Sequence, residues 1–269
     1  MNIKENKEGI FLILLAFLIG ILNVIYMPEW KGPLLLKETY TLFGLSLVSF
    51  ILILAIAGFL YHRWAITGKK NKTTLIWTFS FALYSIVFLG LMLQSLGIAW
   101  ADQKNPAIFF LFRQLMIFFV FGMYSGVSRI LTESKFWTKY LAGLILVFSY
   151  LVFVYGLFIK DSIEFTMYLF LSFIFIPACF LIAFLFYKYG KLENLFSMKL
   201  LASGFIFLGL TYAGWAPFHK DYFYFVMFFL FTISLSVILT AFIYLSLAKT
   251  VEEKKKTIPK KEKTKKKIN

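Results

Sequence analysis

The stretch Thr39–Tyr61 reads TYTLFGLSLVSFILILAIAGFLY and carries no charged side chain over its 23 residues. A helix needs about 20 apolar residues to cross the hydrocarbon core of a bilayer, so this stretch predicts a transmembrane helix. The residues after it, His62-Arg63-Trp64, combine an aromatic ring with cationic groups. Such residues are typical of a membrane interface, which places the end of the span at Tyr61.

Seven further apolar blocks repeat this pattern along the chain. In chain order, the eight blocks are Gly9–Tyr26, Thr39–Tyr61, Thr74–Ala99, Ala107–Val127, Tyr140–Phe158, Phe165–Tyr187, Leu200–Ala216 and Tyr222–Leu247. A mean hydropathy of +0.81 excludes a soluble globular domain. We therefore predict an all-α polytopic integral membrane bundle with eight transmembrane helices. Its solvent is the lipid bilayer of the cell membrane, or of the endoplasmic reticulum if the source is eukaryotic.

The charged residues lie in the short gaps between these blocks and favour one side of the membrane. When the gaps are assigned alternately to two faces, 22 of the 28 Lys and Arg residues fall on one face and five on the other. Lys and Arg near the ends of spanning helices stay cytoplasmic. The pattern predicts a cytoplasmic segment 1–8, a bundle 9–248 and a cytoplasmic tail 249–269, with both termini inside the cell.

The tail is compositionally unlike the rest of the chain. Residues 249–269 hold ten lysines and very few apolar residues. A segment that buries so little apolar surface is expected to be disordered. Each Lys near an anionic membrane surface contributes about 1 kcal/mol of attraction, so the tail predicts binding to anionic lipids. The alternative is a solvated tail that only enforces orientation. We expect no nucleic-acid partner.

Several kinds of chemistry lack the residues that they need. None of the 13 Asp and Glu residues lies in the central part of a predicted span. Ion-coupled carriers and many membrane enzymes place carboxylates there. The single cysteine, Cys179, excludes an intramolecular disulfide, and His62 and His219 are predicted on opposite faces. We therefore predict no metal site, no cofactor and no catalytic residue.

Strong polar residues inside the predicted spans share one depth. Asn23, Gln94, Arg113 and Gln114 all lie in the half of the bundle assigned to the outer leaflet, and Arg113 lies roughly 9 Å below the outer surface at 1.5 Å per helical residue. A buried arginine is costly in a membrane unless it is paired or hydrated. One interpretation is an outward-facing pocket in which Arg113 holds an anionic or carbonyl ligand. The residues of this predicted ligand site are Asn23, Gln94, Arg113, Gln114, Tyr212 and Trp215.

Two alternatives for Arg113 remain open. The guanidinium could form a structural ion pair with Glu164 or Asp102, or the side chain could extend outward to the headgroups. Two other features predict packing rather than chemistry. The sequence Gly122-x-x-x-Gly126 favours close helix contact, and Trp77 near the predicted inner interface is expected to anchor its helix there.

The layout from about residue 40 to 248 resembles a known class of membrane module. The second span ends in YHRW followed by GKKNK, the third contains WTFSFALYSIVFLG, and the fourth carries LFRQLMIFF and ends in SRI. This arrangement is similar to the seven-helix input modules that precede histidine kinases and related bacterial and archaeal sensors. The resemblance implies a ligand role for the outer half of the bundle. An extra helix precedes the seven and no effector domain comes after them, so a sensor of this kind would need a membrane or cytoplasmic protein partner.

These features are compatible with three classes of function. The first is a sensor or receptor-like bundle that acts through a partner, supported by the outer polar residues. The second is an accessory or structural subunit of a membrane assembly, supported by plain, Phe-rich helices. The third is an uncoupled transporter or facilitator of a small or lipophilic solute. The missing carboxylates count against ion coupling but not against passive transport.

The charge pattern makes a direct prediction about topology. A cysteine placed at Gly32 or Asn105 should react with a membrane-impermeant thiol reagent in intact cells. A cysteine placed at Asn71 or Asn194 should react only after permeabilisation. Labelling at Asn194 in intact cells would contradict the assignment of Leu200–Ala216 as a span.

Overall fold

The computed structural model describes Leu18 and residues 39–68, 71–102, 105–131, 136–215 and 221–257. Within these ranges the chain forms helices and turns and contains no strand, which confirms the all-α class. Seven helices are long and apolar enough to cross a membrane. They match the seven apolar blocks predicted from Thr39 onward. The predicted span 9–26, apart from Leu18, lies outside the described residues, as do residues 1–8.

The seven helices follow one another along the chain. They are α1 (Thr39–Ile66), α2 (Lys72–Ser95), α3 (Pro106–Leu131), α4 (Phe136–Ile159), α5 (163–192), α6 (Phe196–Trp215) and α7 (Asp221–Thr257). The first and last turns of α4 have π-helical hydrogen bonding, as does the segment Leu171–Phe175 within α5.

Polar residues in the turns cap the helix ends. The Asn71 side chain accepts hydrogen bonds from the backbone N–H groups of Thr73 and Thr74 at 3.1 and 3.2 Å. The Asn105 side chain accepts one from Ala107 at 2.9 Å at the start of α3. Such caps satisfy N–H groups that have no partner within the helix. They fix where α2 and α3 begin in the sequence.

The π-helical segment in α5 has a cause in the sequence. Pro177 lies just after Leu171–Phe175 and has no N–H to donate to the carbonyl four residues earlier. A proline inside a helix disturbs the regular hydrogen bonding of the preceding turn. The wider turn lets the helix continue through the proline to Leu192.

Six helices close into a ring, with one helix outside it. In order, α1, α2, α3, α5, α6 and α7 each pack against the next, and α7 packs back against α1. Helix α4 packs against α3 and α5 from outside the ring. Helix α5 is buried along nearly its whole length, whereas α4 is mostly exposed. Helix α5, covered by α4 on the outside of the ring, is therefore the most enclosed helix, and α4 is the most peripheral.

Trp77 packs in the interior of the bundle. Lying near the start of α2, it packs on Phe186 of α5 and Phe242 of α7 with ring centroids 5.6 and 5.8 Å away. Its indole N–H donates to the Met123 carbonyl oxygen at 3.4 Å. The residue is only 3% exposed. The prediction that Trp77 is an interface anchor was therefore wrong, because the indole N–H finds a partner on α3 inside the bundle.

The last helix is longer than predicted. Helix α7 continues to Thr257, so the stretch 249–257, predicted to belong to the disordered tail, is helical. Lys and Glu are good helix formers, and Glu252 and Lys256 have the i, i+4 spacing in the sequence that favours a helix. At 1.5 Å per residue, its 37 residues span about 55 Å. This length exceeds the roughly 30 Å hydrocarbon core.

The contact between α2 and α3 depends on glycine. A Cβ added at Gly126 would collide with the Nε1 atom of Trp77, whereas one added at Gly143 on α4 meets nothing within 4 Å. We expect Gly126→Ala to reduce the free energy of unfolding by about 1 to 3 kcal/mol, the usual cost of overpacking a core. Gly143→Ala should leave it unchanged within about 0.5 kcal/mol. Thermal unfolding in one detergent measures both, and equal melting temperatures would contradict the close approach of α2 and α3.

Candidate functional site

Arg113 lies inside the bundle, near the end at which α2 ends and α3 begins. It is seven residues into α3, about 10 Å along the helix axis, and is 7% exposed. The side chain therefore does not extend along the outside of the bundle, as one of the alternatives required. Its burial brings a positive charge into the apolar interior.

Within its own helix, Arg113 contacts an aromatic ring and a thioether sulfur. The guanidinium carbon lies 5.1 Å from the centroid of the Phe109 ring. The Nη1 atom donates to the Met116 sulfur at 3.0 Å. A ring face and a thioether stabilise a cation, but neither neutralises it. These two contacts help to hold the guanidinium in place.

Two buried tyrosines bond to each other across the interior. The Tyr84 hydroxyl on α2 and the Tyr212 hydroxyl on α6 are 2.6 Å apart. Both residues are at most 6% exposed. A buried hydroxyl without a hydrogen-bond partner is costly. Each tyrosine provides that partner for the other. The bond joins two helices that are not neighbours in the ring.

Rings from three other helices surround this pair. Tyr84 stacks on Phe119 of α3 with centroids 4.1 Å apart and planes inclined by 12°. Tyr212 packs on Phe175 of α5 at 4.5 Å. Phe231 of α7 meets Tyr84 and Tyr212 edge-on at 6.3 and 6.0 Å. The pair therefore occupies the point at which α2, α3, α5, α6 and α7 converge.

Arg113 belongs to the same assembly. Its guanidinium lies close enough to Tyr84 and Tyr212 for its charge to act on both hydroxyl groups. We name these three residues the Arg–Tyr cluster. A guanidinium offers up to five N–H donors and each hydroxyl can donate or accept. Such groups are suited to binding a carboxylate, a phosphate or a carbonyl oxygen.

The predicted site residues have different outcomes in the structure. Arg113 and Tyr212 are both buried in the interior, and the Arg113 charge lies within electrostatic range of the Tyr212 hydroxyl. Gln94 and Gln114 are half-buried at the same end of the bundle. Asn23 and the side chain of Trp215 lie outside the described part of the chain, as does the side chain of Glu164.

Tyr84 was not predicted from the sequence. It lies in the middle of the apolar segment WTFSFALYSIVFLG and looks like one more aromatic core residue. The available signal was chemical: a tyrosine at the centre of a span carries a hydroxyl that must find a partner. Its partner, Tyr212, is 128 residues away in the sequence, so the pairing could not be derived from spacing.

Comparisons with known proteins identified no relative: no family model, curated protein or solved structure matches this chain. The resemblance to seven-helix input modules thus rests on the sequence features quoted above. The function of the chain must therefore be inferred from the chemistry of the Arg–Tyr cluster.

The tyrosine pair can be tested by a double-mutant cycle. Tyr84→Phe and Tyr212→Phe should each reduce the free energy of unfolding, because each leaves one buried hydroxyl without its partner. The double variant should be more stable than the sum of the single effects predicts, by about 0.6 to 1.7 kcal/mol. Tyr244→Phe is the control, since Tyr244 is 52% exposed on α7. Strict additivity in reversible unfolding from detergent would contradict the bond.

Proposed function

We propose that this protein is a sensor or receptor-like membrane bundle. It binds a small anionic or carbonyl-containing ligand at the Arg–Tyr cluster, from the side predicted to face outward, and acts through a protein partner. The observation that carries the proposal is a buried Arg113 charge within electrostatic range of the hydrogen bond that joins Tyr84 of α2 to Tyr212 of α6.

The position of the charge supports ligand sensing because binding would change the balance of interactions at the pair. An anion at the guanidinium would introduce acceptors that compete for the two hydroxyl groups. The Tyr84–Tyr212 bond holds helices from opposite parts of the ring. A ligand that binds better to one arrangement of these helices shifts the population toward that arrangement.

Helix α7 supports transmission to the other side. Phe231 packs on both tyrosines and stacks on Phe88, with centroids 5.0 Å apart. The same helix continues without a break to Thr257. A shift of Phe231 would therefore move a rigid rod whose far end lies beyond the apolar span Val226–Leu247. That far end is where we place the contact with a partner.

The orientation belongs to the same proposal. Eight spans with both termini cytoplasmic would put the Arg–Tyr cluster in the outer half of the cell membrane and the end of α7 inside the cell. The lysines of residues 249–269 would then face the anionic inner leaflet, which attracts basic segments. This attraction would hold the end of α7 close to the membrane surface.

A second candidate function has support from α4. Its side chains Val147, Phe148 and Leu151 are 54 to 56% exposed, and Phe158 is 75% exposed. A peripheral helix with an open apolar face suits an accessory subunit that packs against another membrane protein. The bilayer covers such a face equally well, so we rank this function second.

The ligand site is tested with small anions as probes. Sodium salts of simple carboxylates and inorganic phosphate are compared with chloride at matched ionic strength. Either the carboxylates or phosphate should raise the melting temperature of the wild-type protein in detergent relative to chloride. A ligand present at 100 times its dissociation constant adds about 2.7 kcal/mol. Arg113→Met should abolish this shift, and Arg113→Lys should keep part of it.

Arg129→Met provides the matched control, because Arg129 is exposed at the other end of the same helix. It should respond to the anion as the wild type does. Equal responses of the two Met variants would overturn the site. A loss of several kcal/mol in unliganded Arg113→Met, restored by Glu164→Gln or Asp102→Asn, would instead establish a structural ion pair.

A further inference from the structure

The π-helical turn Leu171–Phe175 divides α5 into two parts that pack against different neighbours. The part before it, Ile163–Phe170, packs against α4. The part after it, Ile176–Leu192, packs against α3 and α6. The turn between the two parts therefore determines how these two sets of contacts are aligned with each other.

The π turn closes over one residue more than a turn of α-helix does. The Ile176 N–H donates to the Leu171 carbonyl oxygen, five residues earlier. In an α-helix the N–H donates to the carbonyl four residues earlier. A single π turn within an α-helix is thus equivalent to one inserted residue, and such turns are frequent at functional sites.

The contact between the rings of Phe170 and Phe175 is a product of this turn. The two residues are five positions apart, and their ring centroids lie 6.1 Å apart. In a regular α-helix, residues five positions apart differ by about 140° in direction around the axis. A turn that closes over five residues brings both side chains to the same side of α5. Both are fully buried there.

This ring contact joins α4 to the Arg–Tyr cluster. On one side, Phe170 packs on Phe153 of α4 with ring centroids 5.3 Å apart. On the other side, Phe175 packs on Tyr212 at 4.5 Å and on Tyr84 at 6.5 Å. The extra residue in the turn allows Phe170 to face α4 while Phe175 faces the tyrosine pair.

Pro177 explains why the extra residue lies at this point of α5. In a regular α-helix, the proline ring would clash with the carbonyl of Phe173, four residues earlier, and that carbonyl would lose its donor. The wider turn directly before Pro177 removes this conflict. Moving the extra residue elsewhere along α5 would restore the conflict, so the proline keeps the π turn in place.

We infer that Pro177 is a positioning residue for the Arg–Tyr cluster. It holds the π turn at Leu171–Phe175, and the turn aligns Phe175 with the tyrosine pair and Phe170 with α4. An effect of Pro177 on ligand binding rests on the function proposed above. The alignment itself does not, so its test needs no ligand and can fail independently of that function.

Deletion of Ser172 tests the alignment, because it removes one residue from the turn. Phe170 and Phe175 are then four positions apart, the spacing that places residues on one face of an α-helix. The deletion also puts Pro177 into a regular α-helix. Alone, it should therefore lower the melting temperature in detergent by several degrees or prevent folding. Adding Pro177→Ala removes the conflict and should recover most of the loss.

Two controls accompany the deletion. Pro177→Ala in the chain of full length should have a smaller effect than the deletion, because the extra residue is still present in the turn. Deletion of Ile182 removes a buried residue from the regular part of α5. It rotates the residues before it against those after it by about 100°, so Pro177→Ala should not rescue this variant.

The tyrosine pair provides a readout that a merely structural role of Pro177 would not move. The coupling between Tyr84→Phe and Tyr212→Phe should be lost in the Ser172 deletion and return when Pro177→Ala is added. If the deletion alone does not fold, the rescued variant decides: coupling at the wild-type level supports the alignment, and its loss contradicts it.

Three further results would overturn the inference. The first is a Ser172 deletion variant as stable as the wild type. The second is a rescue by Pro177→Ala no larger than that seen with the Ile182 deletion. The third is tyrosine coupling that stays unchanged in a folded Ser172 deletion variant, which would show that Phe175 does not depend on the turn for its position.

Discussion

The ring of Phe175 is the contact on which the rest of the bundle depends. It is fully buried in α5, the most enclosed helix. It packs on Tyr84 of α2, Phe119 of α3 and Tyr212 of α6. In a bilayer, apolar side chains gain little by leaving lipid for protein, so helix association depends on close packing and on hydrogen bonds. Aromatic pairs contribute about 0.5 to 1.5 kcal/mol each through their geometry. A residue that engages three neighbouring helices therefore fixes their positions relative to α5.

Hydrogen bonds between helices add direction to this packing. Besides the tyrosine pair, the Ser234 hydroxyl of α7 donates to the Gly204 carbonyl oxygen of α6 at 2.8 Å. The Tyr124 hydroxyl of α3 donates to the Trp137 carbonyl oxygen at the start of α4 at 2.8 Å. Ring packing alone allows two helices to slide along each other. A hydrogen bond between two specific atoms fixes one register of the two helices. The polar contacts therefore select one arrangement of rings among several that would fill space.

The sequence located seven spans but did not show which side of each helix faces the protein interior. Both results have the same physical cause. Seven spans could be located because charged and polar residues interrupt the apolar blocks. A soluble helix also reveals its buried side through amphipathic periodicity. Here the lipid-facing side of each helix is as apolar as the interior, so that signal is missing. Trp77 was assigned to the interface and is buried, and Tyr84 was overlooked, because both decisions required knowing which side faces the protein.

Arg113 was found for the same reason that Tyr84 was missed. A charge inside an apolar span conflicts with its surroundings and is visible in the sequence, whereas a tyrosine there is compatible with both lipid and core. In the structure, Arg113 and Tyr84 belong to the same cluster. The Arg113 charge acts on the tyrosine pair electrostatically, and one ring, Phe231, joins that pair to α7, the helix that ends at Thr257. This connection supports the proposed sensor over a carrier, since a carrier must open a route past these rings.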